Sequence, residues 1–247
     1  MEVHHHGHVQ HSHKWKDYTY QFIMLFLAVF CGVLAEYQLD HRIENEREEE
    51  YMVSMMDDLK QDVVNIDVDI RNRTEKIQNA DSLTALLLND NYQNSSGMIY
   101  YLARKFSVVG YVFHMTDGTL MELKNSGGLR LVKNKKVVDG LQHYFNEYQK
   151  TEDVQLFARE ALVDYRDIMV QVFDFRVFNE MINSFPKILP PKGNPSLLST
   201  DSNKINELLM RAQLVKTAEI ASIKHLKELK DCAIKMQENI KKEYRLE

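Results

Sequence analysis

The chain has 247 residues, 44% hydrophobic and 27% charged, with 31 lysines and arginines against 36 acids for a net charge of −5. That length and apolar content suit one large domain or two small ones and exclude a disordered chain, and the charge argues against nucleic acid as a partner. Two cysteines, Cys31 and Cys232, make no disulfide framework, and nine glycines with four prolines favour helices over a loop-rich all-β fold.

The first thirteen residues hold His4, His5, His6, His8, His11 and His13. Neutral imidazoles crowded on a flexible chain take up zinc, nickel or copper. A solvated tail with incidental metal affinity is the plainer reading, and metal handling the sharper one, because no Cys or carboxylate cluster completes a structural site. Gly7, Val9, Gln10 and Ser12 interrupt the run, which does not look like an expression tag. No cofactor is implied.

From Phe22 to Ala35 runs FIMLFLAVFCGVLA, without a polar side chain. Tyr18 to Gln21 lengthen it to about 27 Å of helix, close to a bilayer's hydrocarbon thickness of roughly 30 Å. Phe22, Leu25, Leu27, Phe30 and Val33 would face lipid. Trp15, Tyr18 and Tyr20 on one side and Tyr37 on the other suit an aromatic belt. A single-pass anchor over residues 18–37 is the favoured reading. A signal peptide cut before Glu36 and a buried soluble helix are the alternatives. The bulky Phe30 argues against a lipoprotein at Cys31. Lys14 and Lys16 balance Arg42 and Arg47, so the basic flanks leave orientation open. The short leading tail, 1–17, and the acidic flank after the segment favour an N-terminus in the cytoplasm of a bacterium. The bulk of the chain, 38–247, would then be periplasmic, with the anchor in the inner membrane.

Residues 36–70 carry twelve acids and three bases, net −9, and residues 71–247 carry 22 acids and 26 bases, net +4. The stretch Glu44 to Glu50 reads as a solvated helical extension. From Met52 an apolar stripe begins: Met52, Met56, Leu59, Val63, Ile66, Ile70, Ile77, Ala80, Thr84 and Leu87, with Arg73 interrupting it. Spacings of three and four mark one face of a long helix, packed in a bundle or a coiled coil. Leu59, Val63, Ile66, Ile70 and Ile77 are its candidate interface. Asn89 to Gly97 is the first clear turn.

Residues 98–114 are apolar and aromatic, read as a short buried helix or a pair of strands, with helix favoured. Tyr100, Tyr101, Tyr111, Phe106 and Phe113 are read as core in preference to a pocket. Thr116-Asp117-Gly118 starts a helix that ends at Ser126-Gly127-Gly128, and Asn134 caps the next one. Arg130, Lys133 and Lys135 around that cap form a small basic turn that would hold an anion at the helix start; a solvated, capped turn is the default. The helix after Asn134 is long, with Val137, Leu141, Tyr144, Phe157, Leu162, Tyr165 and Ile168 on its apolar face, and a bend near Thr151-Glu152-Asp153 is left open. His143 reads as a packed histidine. All four prolines fall in one loop, 184–202, read as a tether. Asp201 or Ser202 caps the last helix, whose stripe includes Leu208, Ala212, Val215, Ile220, Leu226, Leu229, Ile234 and Ile240. The sum is all-α: a transmembrane helix continuing into a long-helix antiparallel bundle.

No phosphate loop, dinucleotide fingerprint, metalloprotease helix or nucleophile elbow occurs, so no enzyme is indicated. Two stretches carry a resemblance: residues 1–60, with MEVHHH and FIMLFLAVFCGVLAEYQLDHRIENEREEEYM, and residues 113–150, with FHMTDGTLMELKNSGGLRLVKN. They resemble an uncharacterised Bacteroidota family of single-pass membrane proteins, a domain of unknown function. Glu122-Leu123, Ser126-Gly127 and Leu129 to Asn134 match its central segment. The resemblance implies an anchored helical protein and native histidines, and carries no activity or catalytic residue. Three functions are therefore in play: a non-enzymatic envelope protein binding a protein partner or itself, a periplasmic sensor or ligand-binding bundle signalling through a membrane partner, and metal handling by the histidine tail.

Overall fold

A computed structural model describes residues 15–110, 112–182 and 187–246. Six α-helices carry the described chain: α1 (Trp15–Leu87), α2 (Ser96–Ser107), α3 (Gly118–Asn125), α4 (Lys135–Val172), α5 (Phe175–Glu180) and α6 (Ser202–Tyr244). Short 3-10 turns sit at Tyr92–Ser95 and Gly128–Arg130, and no strand occurs among the described residues. The fold is all-α, as the composition indicates. The chain divides into two compact units, Met1–Glu50 and Tyr51–Glu247.

In the first unit, residues 15–40 of α1 are exposed throughout. An 18-residue window there has mean hydropathy 2.0 and none of it is buried. Among the described residues, α1 alone is long and apolar enough to cross a membrane. Phe22, Phe26 and Phe30 stack along one side at 6.4 and 5.9 Å.

In the second unit three long helices meet. Asp62 and Arg73 of α1 bond to Tyr144 and Gln155 of α4, so these two helices point the same way. Asp67, Arg73 and Asp81 pair with Lys230, Glu219 and Lys216, so α6 runs opposite to α1. It also runs opposite to α4, where Arg211 donates to the Asp164 carbonyl at 2.6 Å. The parallel pair needs a long crossover, to which α2, a non-helical strap described at 108–110 and 112–117, and α3 belong. Two apolar cores result. One joins α2 to Leu83, Leu87, Leu162, Tyr165, Leu208 and Val215. The other joins α3 to Met52, Leu59, Ile66, Leu141, Leu226 and Ile240.

Local signals explain the boundaries. Asn134 Oδ1 accepts from the Lys136 N–H at 2.9 Å, and Asp201 Oδ1 from those of Asn203 and Lys204, each satisfying a donor that α4 or α6 leaves open. Gly127 takes φ 72°, the left-handed turn after α3.

Several expectations need correcting. The helix begun at Ser96 stops at Ser107, and residues 108–110 and 112–117 are non-helical, with the Phe113 and Thr116 amides taken up by carboxylates of α1. The α4 helix continues through Thr151 without a break. Phe157, Ile220, Ile234 and His143 are exposed, since each falls beyond the arc its helix turns inward. The helix α5 had no clear sequence signal. The described part of the Pro-rich loop is pinned: Gly97 N–H donates to Asn194 Oδ1 at 3.1 Å, and the Tyr100 hydroxyl donates to the Ser196 carbonyl at 3.1 Å.

Candidate functional site

The line of α1 that faces inward reads Met52, Met55, Leu59, Asp62, Ile66, Asp69, Arg73, Lys76, Ala80, Leu83 and Leu87, at alternating steps of three and four. All are buried except Lys76, which is nearly so. Four of them are charged or ionisable: Asp69, Arg73 and Lys76 lie between the two apolar cores, and Asp62 lies within the second, between Leu59 and Ile66.

Arg73 is the hub. Its Nε donates to Asp69 at 3.0 Å, its Nη1 to Glu219 at 2.6 Å and its Nη2 to Gln155 Oε1 at 3.2 Å. Lys76 reaches the other Glu219 oxygen at 2.9 Å. Two cations thus meet two carboxylates. Burial pushes the Asp69 carboxyl above its ordinary value, although Arg73 and the Phe113 N–H oppose it. Burial likewise lowers the Lys76 ammonium, against the pull of Glu219. A cavity of about 50 Å³ opens beside this layer, lined by Arg73, Lys76, Gln155 and Glu219 and covered by Val109, Gly110 and Val112 of the strap. It has room for a water or two.

The strap itself is held by a ladder of α1 carboxylates. Phe113 N–H donates to Asp69 at 3.1 Å, Thr116 N–H to Asp62 at 2.8 Å and Thr119 N–H to Asp58 at 3.2 Å. Tyr144 also donates to Asp62, at 2.5 Å. Burial is the main cause of the raised Asp62 carboxyl, with these two hydrogen bonds opposing it. Tyr144 is raised too, first by burial and then by Asp62.

A second feature is a groove of about 510 Å³ lined by Arg104 and Ser107 of α2, Arg166 and Val170 of α4, and Phe175 and Phe178 of α5. Arg166 donates through Nε (2.8 Å) and Nη2 to the Ser107 carbonyl. Burial and the neighbouring Arg104 hold Arg166 below its ordinary value.

The sequence-derived candidates fare unevenly. His4, His5, His6, His8, His11 and His13 lie outside the described residues. Among the described residues no group of three or more His, Cys, Asp or Glu is placed to hold a metal. Phe22, Leu25, Leu27, Phe30 and Val33 are exposed, as a lipid-facing surface requires. Leu59 and Ile66 are buried in the chain's own core, Val63 and Ile70 pack against it, and Ile77 is half-buried. Four of the five residues of that stripe therefore pack in or against a core within the chain. Arg130, Lys133 and Lys135 are exposed. Asn134 fills the start of α4 with its own side chain, and Arg130 folds back toward the Gly127 carbonyl. The buried layer and the Arg104–Arg166 pair escaped sequence reading. The seven-residue step from Asp62 to Asp69, in line with Leu59 and Ile66, was the available signal.

The fold and these sites define an all-α protein with one exposed apolar helical segment and a bundle divided by a charged layer. No family model matches the chain, and no curated protein or solved structure matches it either.

Proposed function

We propose that the chain is a single-pass protein of a bacterial inner membrane whose bundle, on the periplasmic side, binds a protein partner or a second copy of itself and is not an enzyme. The exposed apolar window of α1 supports the membrane half of this reading. The resemblance to the Bacteroidota family points the same way.

One observation carries the binding half. Leu156, Val163 and Val170 recur every seven residues along α4 and are 52%, 48% and 73% exposed. A line of apolar side chains at that spacing is what an approaching helix packs against. The interior charges, by contrast, are engaged in holding helices together.

The test is crosslinking in native membranes. Val163→Cys, in a chain with Cys31 and Cys232 changed to serine, should give a crosslinked species that Leu156→Glu abolishes. Monomer alone at every crosslinker length would remove the reading. A reporter active only outside the cytoplasm, fused after Glu247, should be active and stay in membranes through alkaline carbonate.

A second reading, a ligand-binding bundle that signals through a membrane partner, is favoured by the basic aromatic groove.

A further inference from the structure

The groove at the α2, α4 and α5 junction combines two features. The first is a pair of neighbouring cations. Among the described residues neither Arg104 nor Arg166 has a carboxylate within ion-pair distance. Arg166 directs two of its nitrogens to a backbone carbonyl, a neutral acceptor. Arg104 donates Nη1 to the Ser107 hydroxyl at the long distance of 3.5 Å, and its Nε is shut from solvent with no acceptor. A buried guanidinium donor left without an acceptor is costly. Asp174, the acid lining the groove, does not relieve the pair. Both its oxygens are taken by Arg176, at 2.6 to 3.1 Å.

The second feature is uncovered apolar surface beside those cations. Val170 is 73% exposed and Phe175 74% exposed, and both line the groove with Phe178. Phe173 and Phe178, 5.3 Å apart, form its floor with Tyr100 behind them. The volume is that of a small-molecule site. Charge complementarity requires an anion at one end, and the aromatic wall favours a hydrocarbon at the other.

We propose that this groove binds a single-chain amphiphile with an anionic head, carboxylate or phosphate, the head set against Arg104 and Arg166 and the chain laid over Phe175 and Phe178. The inference deepens the ligand-binding reading and rests on it. The groove shares Val170 with the partner stripe, whereas Leu156 and Val163 lie outside it, so variants at those two positions separate the two readings.

The experiment titrates the full-length protein, held in an amphipol belt, with octanoate, octyl phosphate, octanol and inorganic phosphate by calorimetry. Partitioning into the belt is subtracted with an empty-belt blank. Octanoate or octyl phosphate should saturate at one site, and octanol and inorganic phosphate should bind about tenfold more weakly or not at all. Tighter octanoate would point to a fatty-acid source, and tighter octyl phosphate to a phospholipid-derived one. Arg104→Gln should weaken the anionic probes about tenfold. Phe175→Ala, at an exposed position that cannot unfold the bundle, should weaken them about threefold or more. Val163→Glu should leave them unchanged. Octanol binding as tightly as octanoate, inorganic phosphate binding as tightly as octyl phosphate, or indifference to both variants would overturn the proposal. So would absent saturation, and if α4 crosslinking persisted then, only the ligand reading would be lost.

Discussion

Arg73 and Glu219 are 146 residues apart in sequence and meet at 2.6 Å, each almost wholly buried. Glu219 also holds Lys76, so one carboxylate serves two cations. Removing one partner of a buried pair leaves the other charge without compensation, which typically costs about 3–5 kcal/mol. Glu219→Gln keeps the shape, strands Lys76 and leaves Arg73 with Asp69 alone, so it should destabilise the bundle by about that amount. Adding Lys76→Met removes one stranded charge, and the double variant should recover part of the loss. Urea unfolding followed by circular dichroism measures both. A double variant no more stable than Glu219→Gln alone would show that Lys76 is not held in the layer.

The long helices, their caps and the Gly127 turn were legible in the sequence, since periodicity and capping residues act locally. Half of the α1 stripe was legible as well. Met52, Leu59, Ile66, Ala80 and Leu87 follow from apolar spacing. The rest is Met55, Asp62, Asp69, Arg73, Lys76 and Leu83, and four of these are charged. A hydrophobic pattern cannot reveal a charge whose partner sits on another helix, so the stripe read from apolar spacing falls one place on, at Val63, Ile70 and Ile77, while Met56 is itself buried beside Met55. The strap was hidden for the same reason. Residues 112–117 look apolar enough for a helix, but Asp58, Asp62 and Asp69 of α1 claim their amides and the Thr119 amide at the α3 start. The groove was illegible because Arg104 and Arg166 lie on different helices, far apart in sequence.

Asp62 sets a pH dependence whose sign is unusual for a carboxylate. Burial raises its folded value above the ordinary 3.8, more than the Tyr144 and Thr116 hydrogen bonds lower it. The folded state then holds its proton more tightly than the unfolded state. Its contribution is fully present below 3.8 and is lost as pH rises through the higher folded value. Asp62→Asn removes this titration. The stability of Asp62→Asn relative to the native chain should therefore improve as pH rises from that unfolded value through the folded one. Asp69, raised by the same cause, remains in both proteins and cancels in the comparison. Unfolding curves for the pair across the acidic range would show it, and the opposite slope would mean that the site holds Asp62 ionised.

Gly97 is where α2 touches the Pro-rich loop. A Cβ there would stand 2.2 Å from the Gly193 carbonyl oxygen, a backbone atom that cannot swing aside. Gly97→Ala should push the loop away and break the bond from the Gly97 N–H to Asn194. We expect a loss of about 1–3 kcal/mol and faster proteolysis within residues 187–201. Gly118→Ala is the control, since nothing lies within 4 Å of its added carbon. Equal protease resistance in the two variants would show that the loop does not rest on α2.

Tyr165 presents the opposite case, a buried group whose removal should help. Its ring packs edge-on against Phe106 at 4.9 Å, and the residue is 0% exposed. Its hydroxyl is buried with no hydrogen-bond partner among the described residues, and burial alone pushes its ionisation upward. Taking a hydroxyl from water without a new partner costs about 1–3 kcal/mol. Tyr165→Phe keeps the ring contact and removes that penalty. It should raise stability by up to about that amount, read as a higher thermal midpoint with unchanged helical content. A fall in the midpoint would show that the hydroxyl has a partner in solution, most simply a water held in the α2–α4 core.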